Sequence, residues 1–165
     1  MGACGSEDHN KKYPNWGKKY LCQDEDLSGA NLRSRQLQES DFRGANLSGA
    51  DLRYASLQDA NFREANLRGA DLRGANLNST NLVGADLREV QFSAGLRGTD
   101  FTGADLRGAT LAGTADSPLW LTDSNFQQAD FSGATISNVV FKDSNVSYAD
   151  FSNSTMDRVR FEGTN

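Results

Sequence analysis

Large apolar residues recur along this chain every five positions. The run begins at Leu27, Leu32, Leu37, Phe42, Leu47, Leu52, Leu57 and Phe62 and continues in step to Phe92. One residue is then missing, and the frame resumes at Leu96 and runs to Phe161. Asp116 is the one member out of character, and all nine Phe fall at these centres. Two residues before a centre the chain is small, as at Ala45, Ala50 and Ala65. One before, it is usually Asp or Asn. One after, it is often Arg or Ser, and two after, often Gly.

A period of five suits neither standard element. On a helix it advances about 140° per repeat and makes no stripe. On a straight strand an odd period changes face at every repeat. A chain that turns a corner every five residues resolves both conflicts. The small residue and the centre, two apart, then point inward, and the Asp or Asn between them points outward. Gly supplies the positive φ that a type II turn requires at the corner. Four corners close a square coil of twenty residues, so the twenty-eight units predict about seven coils and a stack roughly 34 Å long.

The units, such as Ala45-Asn46-Leu47-Ser48-Gly49 followed by Ala50-Asp51-Leu52-Arg53, resemble the A(D/N)LXX motif of the pentapeptide-repeat family. The resemblance covers about residues 24–165. It implies an all-β fold, a right-handed quadrilateral parallel β-helix, and right-handedness agrees with the general rule for parallel crossovers. Residues 1–23 are expected to form a polar segment and cap, with Trp16 or Tyr20 over the first coil. Residues 24–165 are expected to form the solenoid, irregular near 93–96 and 112–120.

Stacking every fourth centre predicts four internal ladders. The most aromatic contains Phe42, Phe62, Leu82, Phe101, Leu121, Phe141 and Phe161. Another ends Leu96, Asp116, Ile136, Met156. A carboxylate at a centre is costly to bury, and Pro118 lacks a donor for a ladder. The segment around Asp116 is therefore expected to bulge outward, with Asp116 in solvent. Trp120 falls at an outward position. It is a candidate interaction residue, or a cover for the bulge.

With its apolar residues consumed by packing, the chain implies no small-molecule substrate pocket, no cofactor and no catalytic constellation. Its only His is His9, and its two Cys cannot build a structural zinc site alone. The net charge of −5 argues against direct nucleic-acid binding. Charge is uneven, with +2 over residues 1–23, −3 over 24–111 and −4 over 112–165. Arg33, Arg53 and Arg73 stack on one edge, and Arg68, Arg88 and Arg107 on the preceding one. They read as a salt-bridged face, or as a binding stripe for an acidic partner.

Cys4 and Cys22 form a disulfide in an oxidising compartment or remain thiols in the cytosol. The start Met1-Gly2-Ala3-Cys4 also fits an acylation pattern. The chain reads as cytoplasmic, or as a mature periplasmic or lumenal form, since it shows no signal peptide or transmembrane run. Val146, Phe151, Met156 and Phe161 line a C-terminal end that either meets a second copy as a homodimer or continues in a longer protein. The leading function is a non-catalytic protein-interaction module. The resemblance supplies an alternative, a DNA mimic that binds DNA gyrase as the quinolone-resistance members do. A membrane-tethered or lumenal structural role is the third.

Overall fold

The computed structural model describes residues 20–93 and 95–165, which form one parallel β-solenoid. Its extended strands are β1 (Asp71–Leu72), β2 (Gln91–Phe92), β3 (Thr110–Ala112), β4 (Leu119–Thr122), β5 (Thr135–Ser137), β6 (Val139–Lys142), β7 (Thr155–Asp157) and β8 (Arg160–Glu162). They stack in two parallel sheets, β1-β2-β3-β5-β7 and β4-β6-β8. Developed strands are thus five deep in the larger sheet, fewer than the seven coils expected. Towards the N-terminus the stacking continues as single-residue parallel bridges, back to Leu21↔Asp41.

The corners follow from the repeat. At most corners the centre's carbonyl accepts a hydrogen bond from the small residue three positions on, as Ala45 N–H to Phe42 O (3.0 Å) and Ala50 N–H to Leu47 O (3.0 Å). The residue before that donor has positive φ. Glycine serves at Gly49 (φ 66°), but Tyr54 (59°), Asp59 (58°) and Gln128 (60°) adopt the same conformation. The outward Asp or Asn helps hold the corner, because its Oδ1 accepts the N–H two residues on. Asn46 does so for Ser48 (3.2 Å) and Asp71 for Arg73 (3.1 Å). These Asx turns explain why that position favours Asp and Asn.

From Cys22 to Phe141 every centre except Asp116 is buried. Cys22 is itself a centre, fully buried, with its N–H on Asp41 O (2.8 Å). The first coil therefore includes residues assigned from sequence to the cap. Residues 1–19, with Cys4, His9 and Trp16, lie outside the described residues.

Beyond Leu111 the ladders differ from those expected. Phe101 lies beneath Phe126, since Phe101 N–H bonds Asn125 O (2.7 Å), and the two rings stack at 4.7 Å. Phe141 and Phe161 instead continue from Leu121 on the neighbouring corner, stacked on each other at 4.9 Å. Phe42 and Phe62 do share a ladder, stacked at 4.7 Å. The expected run of Phe42, Phe62, Phe101, Phe141 and Phe161 is therefore split between two corners. Ile136 follows Leu111, with Asp116 outside the stack.

The cause is an insertion of one full unit, residues 114–118. Gly113 N–H bonds Ser137 O (3.0 Å) and Leu119 N–H bonds Asn138 O (2.9 Å), so the wall resumes with Leu119 directly after Gly113. The five residues between them loop outward, closed by Thr114 N–H to Ser117 O (2.9 Å) and Ser117 N–H to Thr114 Oγ1 (3.0 Å). Asp116 is exposed, as expected of a carboxylate that the core would not solvate.

One corner carries a second internal pattern. Ser40, Thr80, Thr99, Ser124 and Ser144 occupy its small position and are buried. The Thr80 hydroxyl donates to Leu57 O (2.9 Å), Thr99 to Leu77 O (2.8 Å), Ser124 to Leu96 O (2.6 Å) and Ser144 to Leu121 O (2.7 Å). These four hydroxyls are thereby satisfied, each on a carbonyl more than a coil earlier in the chain, while Ser40 Oγ accepts the Tyr20 N–H (3.3 Å).

Candidate functional site

The outer arginines are mostly committed to neighbouring carboxylates. Asp and Arg two apart flank the corner bend, and Arg folds back on Asp. Arg53 Nη2 lies 2.6 Å from Asp51 and its Nε 3.6 Å from Asp71, while Arg73 Nη2 lies 2.6 Å from Asp71. The adjacent edge repeats the scheme with Arg88 between Asp86 and Asp105, and with Arg107 between Asp105 and Asp130. Arg68 pairs with Glu89 at 2.8 Å. Arg33 packs over the Tyr54 ring (5.3 Å), and that ring crosses Gly74, where a Cβ would collide with it. Arg53 and Arg73 are thus paired with carboxylates of their own face, and Arg33 lies on an aromatic ring.

These pairs tie stability to pH. Hydrogen bonding to Arg43 lowers Asp41, and to Arg53 lowers Asp51, from 3.8 to about 2. A depressed carboxylate stabilises the fold fully above its unfolded value and loses that contribution as pH falls through the folded one. Thermal midpoints should therefore drop between about pH 4 and 2. Asp51→Asn, which keeps the Asx turn, should make that drop shallower. An identical acid profile for the variant would refute this assignment.

Trp120 stands on the outer side of β4, 45% exposed. Arg160, two coil positions along the same face, lies 6.0 Å from its ring centroid, and Val140 between them is buried. Trp120 also helps line a groove of about 350 Å³. One wall is the shortened corner, with Leu96 and Arg97, and the other is the inserted loop and its exit, with Pro118, Leu119 and Thr122. The two irregularities read separately from the sequence are therefore neighbours in space. Trp120 both faces outward and borders the bulge.

At the C-terminal end Val146 and Phe151 are partly buried, and Met156 and Phe161 are 40% and 45% exposed. Among the described residues no cluster of His, Cys, Asp and Glu is arranged to hold a metal ion, and no helix is long and apolar enough to cross a membrane.

Two family models, each described as pentapeptide repeats, match the chain. One matches residues 26–63, 55–93 and 94–115, and the other 121–165. The chain belongs to the pentapeptide-repeat family. The two matches part at the inserted loop. No curated protein matches the chain in sequence.

Several solved structures are similar to this pentapeptide-repeat chain. QnrB1, a plasmid-mediated fluoroquinolone resistance protein, is 20% identical with a TM-score of 0.51, over 88% of this chain and 69% of that one. HetL, a pentapeptide repeat protein involved in heterocyst differentiation regulation in Nostoc, is 25% identical, with a TM-score of 0.47 over 89% and 76%. A thylakoid-lumen member from Arabidopsis thaliana is 28% identical, with a TM-score of 0.40 over 73% and 71%. The QnrB1 likeness concerns the fold.

Proposed function

We propose that this pentapeptide-repeat chain is a non-catalytic protein-interaction rod. The observation that carries this reading is the filled interior. Centre side chains and alanines occupy the shaft from Cys22 to Phe141, so recognition falls to the outer faces and the ends. The groove beside Trp120 is the most distinctive of these, because it interrupts an otherwise repetitive wall. Exposed Met156 and Phe161 make the C-terminal end a surface that a second copy would cover.

A gyrase-binding DNA mimic is the second reading. One observation favours it. Asp86, Asp105, Asp130 and Asp150 stack outward in parallel register, and the arginine partners that accompany the first two thin out toward Asp150. The last of these carboxylates is lowered by bonds to Ser152 alone, which leaves its charge exposed to a partner.

One preparation tests both. Immobilised protein should capture a partner that Trp120→Ala fails to retain, and sedimentation should show a dimer that Phe161→Asp disperses. A DNA gyrase supercoiling assay, with and without a quinolone, discriminates the mimic. Inhibition or drug protection that Asp130→Asn with Asp150→Asn abolishes would put the mimic first. Equal capture by wild type and Trp120→Ala would remove Trp120 from the site.

A further inference from the structure

We propose that the groove between the shortened corner and the inserted loop binds an acidic, aromatic-bearing extended peptide segment of a protein partner. Trp120 and Pro118 would take the apolar side chain, and Arg97 the carboxylate. The proposal rests on the protein-interaction reading and gives that partner a chemistry.

Arg43, Arg53, Arg73, Arg88 and Arg107 each fold onto the Asp two residues earlier, through both Nε and Nη2. Two residues before Arg97 stands Gly95, because the shortened corner puts glycine where Asp or Asn belongs. The substitution has a steric reason. A Cβ at Gly95 would stand 3.0 Å from Ala75 O and from Asn76 Cα. Arg97 consequently reaches sideways to Asp123 through a single Nε–Oδ2 contact of 3.3 Å, and both side chains are well exposed. A lone contact of that length between solvated groups holds an arginine weakly. A ligand carboxylate can offer Arg97 the two-pronged geometry that its neighbours already have.

The rest of the groove supplies the apolar part. Leu96, Pro118 and Leu119 line it together with the half-exposed Trp120 ring, which Arg160 backs at 6.0 Å. Arg97 thus lines the same groove as the Trp120 ring, and Arg160, which also pairs with Glu162 at 3.4 Å, lies against that ring, on a chain whose net charge is −5. The volume of about 350 Å³ lies at the lower end of the range for ligand sites, enough for one large side chain and an adjacent carboxylate.

The test uses Trp120 as its own reporter. In a Trp16→Phe background Trp120 is the only indole. Its fluorescence is followed as acetyl-Asp-Phe-Asp-amide, or the matched acetyl-Asn-Phe-Asn-amide, is added. The acidic peptide should give a saturable change at about 10-fold lower concentration than the amide peptide, the size expected of one charge-assisted pair. Arg97→Gln should abolish that preference while leaving the circular dichroism spectrum unchanged. No saturable change up to about 10 mM peptide, a range that reaches affinities weaker than −4.1 kcal/mol, would overturn the proposal. Equal affinity for the two peptides would also overturn it, as would a preference that survives in Arg97→Gln. Partner capture that persists after such a failure leaves the interaction reading standing with its site elsewhere, whereas loss of capture altogether strikes the reading itself.

Discussion

Gly113→Ala should lower the thermal unfolding midpoint by roughly 6–12 °C, about 3 kcal/mol for a chain of this size. Gly113 is the neck of the inserted loop. A Cβ there would meet only backbone, with Asn138 O at 2.5 Å, Pro118 C at 2.8 Å and Leu119 N closer still. None of these can swing aside. Relief requires Leu119 to leave Asn138, which opens the parallel pairing of β4 with β6 where it starts. Gly133→Ala is the control. Its φ is +69°, yet nothing lies within 4 Å of its added Cβ, and Gln128 tolerates nearly the same backbone at 60°. That change should cost only the strain of a left-handed alanine, about 1–2 kcal/mol. Gly113 itself lies outside the left-handed region, so equal losses at the two positions would show that the neck yields to the added Cβ and contradict this prediction.

The solenoid was legible because its period conflicts with helix and strand and fits only a cornered chain. The ladder register past Leu111 was not, and the reason is arithmetic. An insertion whose length is not a multiple of five would have broken the frame visibly, as the lost residue before Leu96 does. Five residues keep the count in phase while moving every later centre by one corner. Asp116 and Pro118 gave the signal. Reading both as a looped-out unit, and not merely as a bulge, would have placed Phe126 over Phe101.

Cys22 escaped as a centre because a cysteine at the edge of a Leu and Phe frame looks like redox chemistry before it looks like core. The hydroxyl ladder was visible in the sequence as Ser40, Thr80, Thr99, Ser124 and Ser144 at one small position, but its partners are carbonyls on other corners. The arginine face was partly legible. The i, i+2 spacing of Asp51 with Arg53 and of Asp86 with Arg88 announces the pairs. The weak tether of Arg97 emerges only when Gly95 is compared with the aspartates at equivalent corners.

The register shift makes residues 114–118 an external loop and brings Trp120 beside the shortened corner. Cysteine pairs read it directly. Gly103 N–H bonds Gln127 O at 2.9 Å, so Thr102 lies beneath Gln127. Parallel neighbours about 4.8 Å apart fall within the span of a disulfide. Under mild oxidation, with the link located by peptide mapping, Thr102→Cys with Gln127→Cys should cross-link nearly completely, and Thr102→Cys with Thr122→Cys should not. The reverse outcome would place Leu121 over Phe101, return Asp116 to the stack and contradict the account.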